Sequence, residues 1–316
     1  GMPLYSYKTG VWPISLEISG ARLSLNQDGS VQLTLGATEI GQGADTVFSQ
    51  MVAETLHTDM EHVHIMSTQD TDISPFDTGA YASRQSFVTG TVVRHCAEIL
   101  RDKILAYAKT LLPEIDTTEL ELRDNWIWAG KEQAISLAAL AEESYYSLTN
   151  SSVLTAEVSE QVKKNTIATG CCFAEVEVDM KLGKIKVLHI INVHDSGRLL
   201  NPQLAEMQVH GGMSMGMGYG ISEQLILDEK TGRPLNGNLL DYKLMTMLDT
   251  PELKADFVEL DDPIGPYGNK ALGEPPAIPC APAIRNAVLH ATGVAFNENP
   301  LTPQRLIDGF QKAGLI

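Results

Sequence analysis

The stretch KALGEPPAIPCAPAIRNAV, residues 270–288, carries one carboxylate, Glu274, between a glycine and two prolines. Successive prolines fix the backbone and remove two N–H donors, so this carboxyl group rides on a stiff support. In an apolar, partly dry pocket such a group can serve as a general base. On a wet surface it is a solvated glutamate in a stiffened loop before a helix, and composition alone favours that second reading.

Other stretches have residue types suited to holding an anionic, hydrogen-bonding ligand. TEIGQGAD sets Gly41, Gln42 and Gly43 between a strand and a helix. Small residues there let backbone N–H groups approach a ligand, and a helix N-terminus favours phosphate. Gln42 offers a donor and an acceptor to a heterocycle edge, although an ordinary glycine-rich turn accounts for G-x-G alone. DTGAYASRQSFVTG runs from a loop into a helix with Ser83, Arg84 and Gln85 at the junction. These suit an anion too, or else Ser83 caps the helix and Arg84 is solvated. HGGMSMGMGYG has glycines at 211, 212, 216, 218 and 220. Each costs a helix about 1 kcal/mol, so close approach by a neighbouring helix or a buried cofactor is expected, with Met213, Met215 and Met217 as core filler. His62 and His64 alternate on a strand with no third ligand nearby and read as surface histidines. His194 and Asp195 end a strand, where Asp195 before Ser-Gly reads as a turn stabiliser.

The elements that must position these residues follow from periodicity. ARLSL and VQLTLG alternate around Asp28-Gly29 and predict a hairpin. DTVFSQMVAETLH is an amphipathic helix with Asp45 placed to cap it, HVHIMST a short strand, and 88–112 a long helix. Residues 113–165 are weakly patterned and read as a small helical or irregular bridge. CCFAEVEVDM and KIKVLHIINVHD predict a second hairpin; strands are expected near DYKLMTML and ELKADFVEL, and helices at 281–291 and after Thr302-Pro303. Hairpins separated by helices predict an α+β fold of two-layer sheet-and-helix subdomains, 2–150 and 151–316, the second carrying Glu274. Gly1 before Met2 reads as a tag scar.

The chain has 316 residues, 43% of them hydrophobic, enough for one large or two smaller domains. A formal charge of −17 argues against a nucleic-acid partner. No apolar run approaches the roughly 18 residues of a membrane span, and no signal peptide is visible, so a cytoplasmic protein is expected. Cys96, Cys171, Cys172 and Cys280 form no C-x-x-C pair. They read as buried thiols of a reducing compartment, and any iron–sulfur chemistry is expected on other chains.

Taken together, GATEIGQGADTVFSQMVAETL, ASRQSFVTG, HDSGRLLNP, QVHGGMSMGMGYG and KALGEPPAIPCAPAIRNAV resemble, in this order, the molybdenum-binding subunit of the xanthine dehydrogenase/aldehyde oxidase family. The likeness runs from YSYKTGVWP to LTPQRL, and is strongest to bacterial three-subunit xanthine (purine) dehydrogenases. It implies a molybdopterin-binding fold and a molybdenum cofactor, as molybdopterin or its cytosine dinucleotide. In that family the glutamate of GEPP takes the proton of a molybdenum-bound hydroxide, and oxygen passes to an electron-poor carbon beside nitrogen. Electrons leave through iron–sulfur clusters and FAD.

The resemblance makes Glu274 the base. It assigns Gly41, Gln42 and Gly43 to the pterin and its phosphate and Ala82 to a backbone position beside molybdenum, with no side-chain metal ligand. Ser83, Arg84 and Gln85 fall next to it on the cofactor, and Met215 along the pterin. The sequence departs from much of the family at Met215 and His210, where glutamine and glutamate are common. Nothing here matches the family's GGFGGK-bearing half, so the chain is expected to be a C-terminal portion, cut or encoded by a split gene, and inactive alone. Its implied partners are that missing half, iron–sulfur and FAD subunits, and a small purine substrate, with no nucleic acid or membrane. Alternatives are a cofactor-free scaffold or assembly module, or the same mechanism on an aldehyde or another N-heterocycle.

Overall fold

The computed structural model describes residues 1–66 and 70–316, so the end of the HVHIMST strand lies outside the described residues. The chain forms two compact units: a first of residues 9–165 with 264–267, and a second of residues 1–8, 166–263 and 268–316. Each is a sheet covered by helices, the α+β arrangement that the pattern predicts.

In the first unit, β2 (Ile18–Leu25) and β3 (Val31–Leu35) make the expected hairpin. Gly29 turns at φ 85°, and Asp28 accepts from the N–H and hydroxyl of Ser30 at 2.9 and 2.7 Å, an Asx turn. Helix α1 (Ala44–Leu56) leads to β4 (Val63–Met66), which pairs parallel with β3. Helix α2 (Gln85–Leu111) lies over β2 and β8 (Thr155–Gln161). It buries Val88, Val92, Cys96, Leu100 and Ile104, apolar at every fourth residue, and Cys96 Sγ donates to Ala21 O of β2 and Ala156 O of β8 at 3.5 and 3.4 Å. The strand order is β4-β3-β2-β8.

Residues 113–165 are more ordered than expected. Strands β5 (Leu120–Arg123), β6 (Trp126–Ala129) and β7 (Glu132–Ser136) form an antiparallel meander, followed by α3 (Leu137–Tyr146) and β8. These strands are four or five residues long, too short for alternation to show in the sequence.

In the second unit, β1 (Leu4–Lys8) pairs antiparallel with β9 (Ile167–Asp179), β9 with β10 (Lys184–Asp195), and β10 runs parallel to β11 (Leu253–Phe257). Helices α4 (Pro202–Ile221) and α5 (Cys280–Thr292) cover this sheet, with Val209, Met213, Met217, Ile284 and Val288 packed on Ile190. Helix α6 (Pro303–Lys312) starts as predicted, Thr302 Oγ1 accepting from Arg305 N at 3.4 Å. The strand expected at DYKLMTML does not form. Asn238 Oδ1 accepts from Leu240 N and Asp241 N, and Asp249 Oδ2 from Thr246 N, at 2.9, 3.1 and 3.1 Å. Those bonds claim donors a ladder would need.

Both four-stranded sheets follow one plan: a hairpin, a helix, then a strand parallel to the hairpin's second arm. Each takes its outer strand from the chain preceding the other sheet's hairpin, β8 on β2 and β1 on β9.

Candidate active site

The loop after β3 ends in Gly41 and Gly43, with φ 97° and 85°, backbone that glycine adopts freely. Gly43 is the cap residue of α1, and Asp45 lies within the first turn and makes no capping bond. Glu39 does that work. Its Oε1 accepts from Gly41 N at 2.7 Å and Gly43 N at 3.2 Å, and its Oε2 from Asp45 N at 3.0 Å. Burial pushes the Glu39 pKa up, but the backbone N–H groups of Asp45, Gly41, Gly43 and Gln42 outweigh it and hold the carboxyl below the usual glutamate range. The backbone N–H groups expected to face an anionic ligand thus hold a carboxylate of this chain. A Cβ at Gly41 would meet nothing within 4 Å.

Gln42 and Gln85, far apart in sequence, come together beneath this loop. Gln42 Nε2 donates to Gln85 Oε1 at 2.5 Å and to Thr38 O at 2.9 Å, and Gln85 Nε2 donates to Thr38 O at 3.1 Å. Just before α2, Ala82 and Ser83 both take left-handed backbone, φ 48° and 50°. Two such residues without glycine store strain that the surroundings must enforce. Arg84 supplies the enforcement. Its guanidinium is fully buried, with Nε on Glu17 at 2.5 Å and Nη1 on Asp77 at 2.7 Å. Nη1 also donates to Gly79 O and Nη2 to Ile18 O, each at 2.9 Å. The reading of this side chain as solvated is thereby corrected: its donors go to Asp77 and Gly79 of the same loop and to Glu17 and Ile18, which lie far off in the sequence. Asp77 also accepts from Gly79 N at 2.7 Å and Thr89 Oγ1 at 3.0 Å, and Glu17 from Val11 N.

In the second unit Glu274 is exposed and opens a short turn, Pro275–Ala277, whose prolines are buried. That turn is pinned by its carbonyls and its contacts. Pro276 O accepts from Asn192 Nδ2 at 2.9 Å and Cys280 Sγ at 3.3 Å, and Gly273 O from Gln208 Nε2 at 3.2 Å. A Cβ at Gly212 would stand 2.5 Å from Pro276 Cβ, and one at Gly216 2.5 Å from Ala277 O and 2.7 Å from Cys280 Cβ. The close neighbour expected of the glycine-rich helix is thus the proline turn itself. The carboxylate accepts from the Tyr7 hydroxyl of β1. Met213 and Met217 are core, as expected, whereas Met215 is exposed.

His194, at the end of β10, is fully buried, with Tyr5 OH on its Nδ1 at 2.6 Å. Asp195 accepts from Gly197 N at 3.1 Å, the expected turn bond, and pairs with Lys270 Nζ at 2.8 Å. Among the described residues no three His, Cys, Asp or Glu side chains gather as a metal site, and no helix is long and apolar enough to cross a membrane.

Gly41, Gln42, Gly43 and Ala82–Gln85 are thus assembled in the first unit, and Met215 and Glu274 belong to the second. Three contributors escaped the sequence reading. Asn192 had a usable signal, a lone amide in the apolar run IINV; Glu39 and Tyr7 had none.

Residues 1–251 match the family model of the molybdopterin cofactor-binding domain, and the chain belongs to that family. It is 50% identical over its whole length to the xanthine dehydrogenase molybdenum-binding subunit of Escherichia coli O157:H7, covering 42% of that protein. It is 30% identical to the aldehyde oxidoreductase molybdenum-binding subunit PaoC of Escherichia coli K12, across 93% of the chain and 39% of the relative. Quinoline 2-oxidoreductase from Pseudomonas putida 86 shares the fold with a TM-score of 0.88 at 25% identity, over 99% of this chain and 42% of that one. The chain spans less than half the length of the curated relatives it matches.

Proposed function

We propose that the chain is the cofactor-binding C-terminal part of a molybdenum hydroxylase that oxidises xanthine- or hypoxanthine-type N-heterocycles with water-derived oxygen, and that Glu274 is its base. The carrying observation is the Pro275–Ala277 turn, fixed by Asn192, Gln208 and the glycines of α4, in a chain half identical to a xanthine dehydrogenase subunit. The residues present fit the cofactor, since the N–H groups of Gly41 and Gly43 already hold a carboxylate where a phosphate would be received. When bound, that group supplies a polarising, redox-active metal that takes up the substrate's electrons.

This chain's residues would do the rest. Gly41, Gln42 and Gly43 would receive the pterin and its phosphate through backbone N–H groups and one amide, with Glu39 moving aside. The strained Ala82-Ser83 backbone would present its peptide groups to the metal end, with Gln85 beside it and Arg84 holding the loop from within. Met215 would lie along the pterin. Glu274 would take a proton from the water-derived nucleophile at Oε1, its backbone already in place. The remainder of the subunit would orient the substrate, iron–sulfur and FAD subunits would carry electrons away, and without them the chain would be inactive.

The test is xanthine turnover by the assembled enzyme with Glu274→Gln, an isostere unable to accept the proton. A loss of about 10²–10⁴-fold is expected, and equal turnover overturns the base. Faster oxidation of aldehydes than of xanthine would replace the substrate class and leave the base standing.

A further inference from the structure

We infer that Tyr7 is a positioning residue for Glu274, its phenol fixing the carboxylate in one orientation for proton transfer. The inference rests on reading Glu274 as the base.

The backbone of Glu274 is held, but a glutamate keeps three side-chain torsions that a fixed backbone does not restrain, and Glu274 is exposed. A base must lie within about 0.5 Å of its working position. The Tyr7 hydroxyl donates to Glu274 Oε2, which aims Oε1. Tyr7 is itself well fixed. Along β1, Leu4, Ser6 and Lys8 are exposed, while Tyr5 and Tyr7 share the other face. The ladder seats Tyr7 opposite Ala168 of β9, and two residues away the buried Tyr5 is tied to His194 at 2.6 Å. Tyrosine brings a rigid ring with only two torsions to fix. Its O–H is a neutral donor, so it steadies a carboxylate without the opposing charge of a lysine or arginine, which would resist proton uptake.

The first arm of the test needs neither cofactor nor turnover. The chain is labelled at tyrosine ¹³Cζ, and the nine resonances are compared in wild type and Glu274→Ala, with Tyr7→Phe assigning the Tyr7 signal. The Tyr7 resonance is expected to move in Glu274→Ala; an unmoved signal overturns the inference. The second arm measures xanthine kinetics of the assembled enzyme with Tyr7→Phe. A fall of about tenfold in kcat, the scale of one hydrogen bond to a charged group, is expected with KM within about twofold. An unchanged kcat overturns the inference, as does a loss confined to KM. Wild-type turnover in Glu274→Gln sinks the base and this inference together, whereas wild-type turnover in Tyr7→Phe alone sinks only this one. Should Tyr7→Phe fail to fold, the Glu274→Ala comparison decides, with the Tyr7 signal assigned by sequential labelling.

Discussion

His194 is buried between the Tyr5 and Phe257 rings, and desolvation pushes its pKa down from 6.5 to about 4. The folded chain keeps it neutral where the unfolded chain takes up a proton. Stability from this site is therefore full above about pH 6.5 and declines as pH falls toward 4. The loss amounts to at most about 3 kcal/mol. Urea unfolding at pH 7 and pH 4.5 should show His194→Asn losing less stability than wild type on acidification; equal losses would refute the assignment. The same scale shows how far the site was legible. Glu274 stood out because its constraint, two following prolines, is local. Tyr7, Glu39 and the Glu17–Arg84–Asp77 cluster act through partners brought by folding, so residue type alone gave Arg84 the wrong surroundings.

Helix α4 has two kinds of glycine. Gly216 faces the proline turn, where an added Cβ would meet Ala277 O and Cys280 Cβ inside 3 Å. Gly211, five residues earlier, would meet nothing within 4 Å. Gly216→Ala should cost about 1–3 kcal/mol by overpacking and lower turnover by displacing Glu274. Gly211→Ala should gain about 1 kcal/mol from helix propensity. Thermal unfolding of both variants checks the contrast, and a stabilised Gly216→Ala would show that the turn is not seated on this helix. From sequence the glycine run announced a close approach by a helix or a cofactor, and the turn that makes it at Gly212 and Gly216 was not foreseen. The α1 cap was misread for a related reason. Asp45 sits where caps are sought, but the bonds come from Glu39, which reaches the N–H groups only because the Gly41–Gly43 loop closes.

Across the whole chain, hairpins were legible and the long pairings were not. Alternation around Asp28-Gly29 fixes β2 and β3 locally, and the same holds for β9 and β10. Nothing near Leu4–Lys8 indicates that β1 pairs with β9, or near Thr155–Gln161 that β8 returns to β2. This exchange predicts that cleavage at the exposed Lys163-Lys164 loop leaves the two pieces together, because the N-terminal piece supplies an outer strand to the second unit's sheet. Size-exclusion chromatography after nicking tests it; pieces that separate without denaturant would refute it. The exchange also has a consequence in time. At about 5–20 residues per second, a ribosome completes β1 on the order of ten to thirty seconds before β9 has been made. The strand bearing Tyr5 and Tyr7 is synthesised early and seated late, so through that interval the residue that steadies Glu274 waits on an unpaired edge.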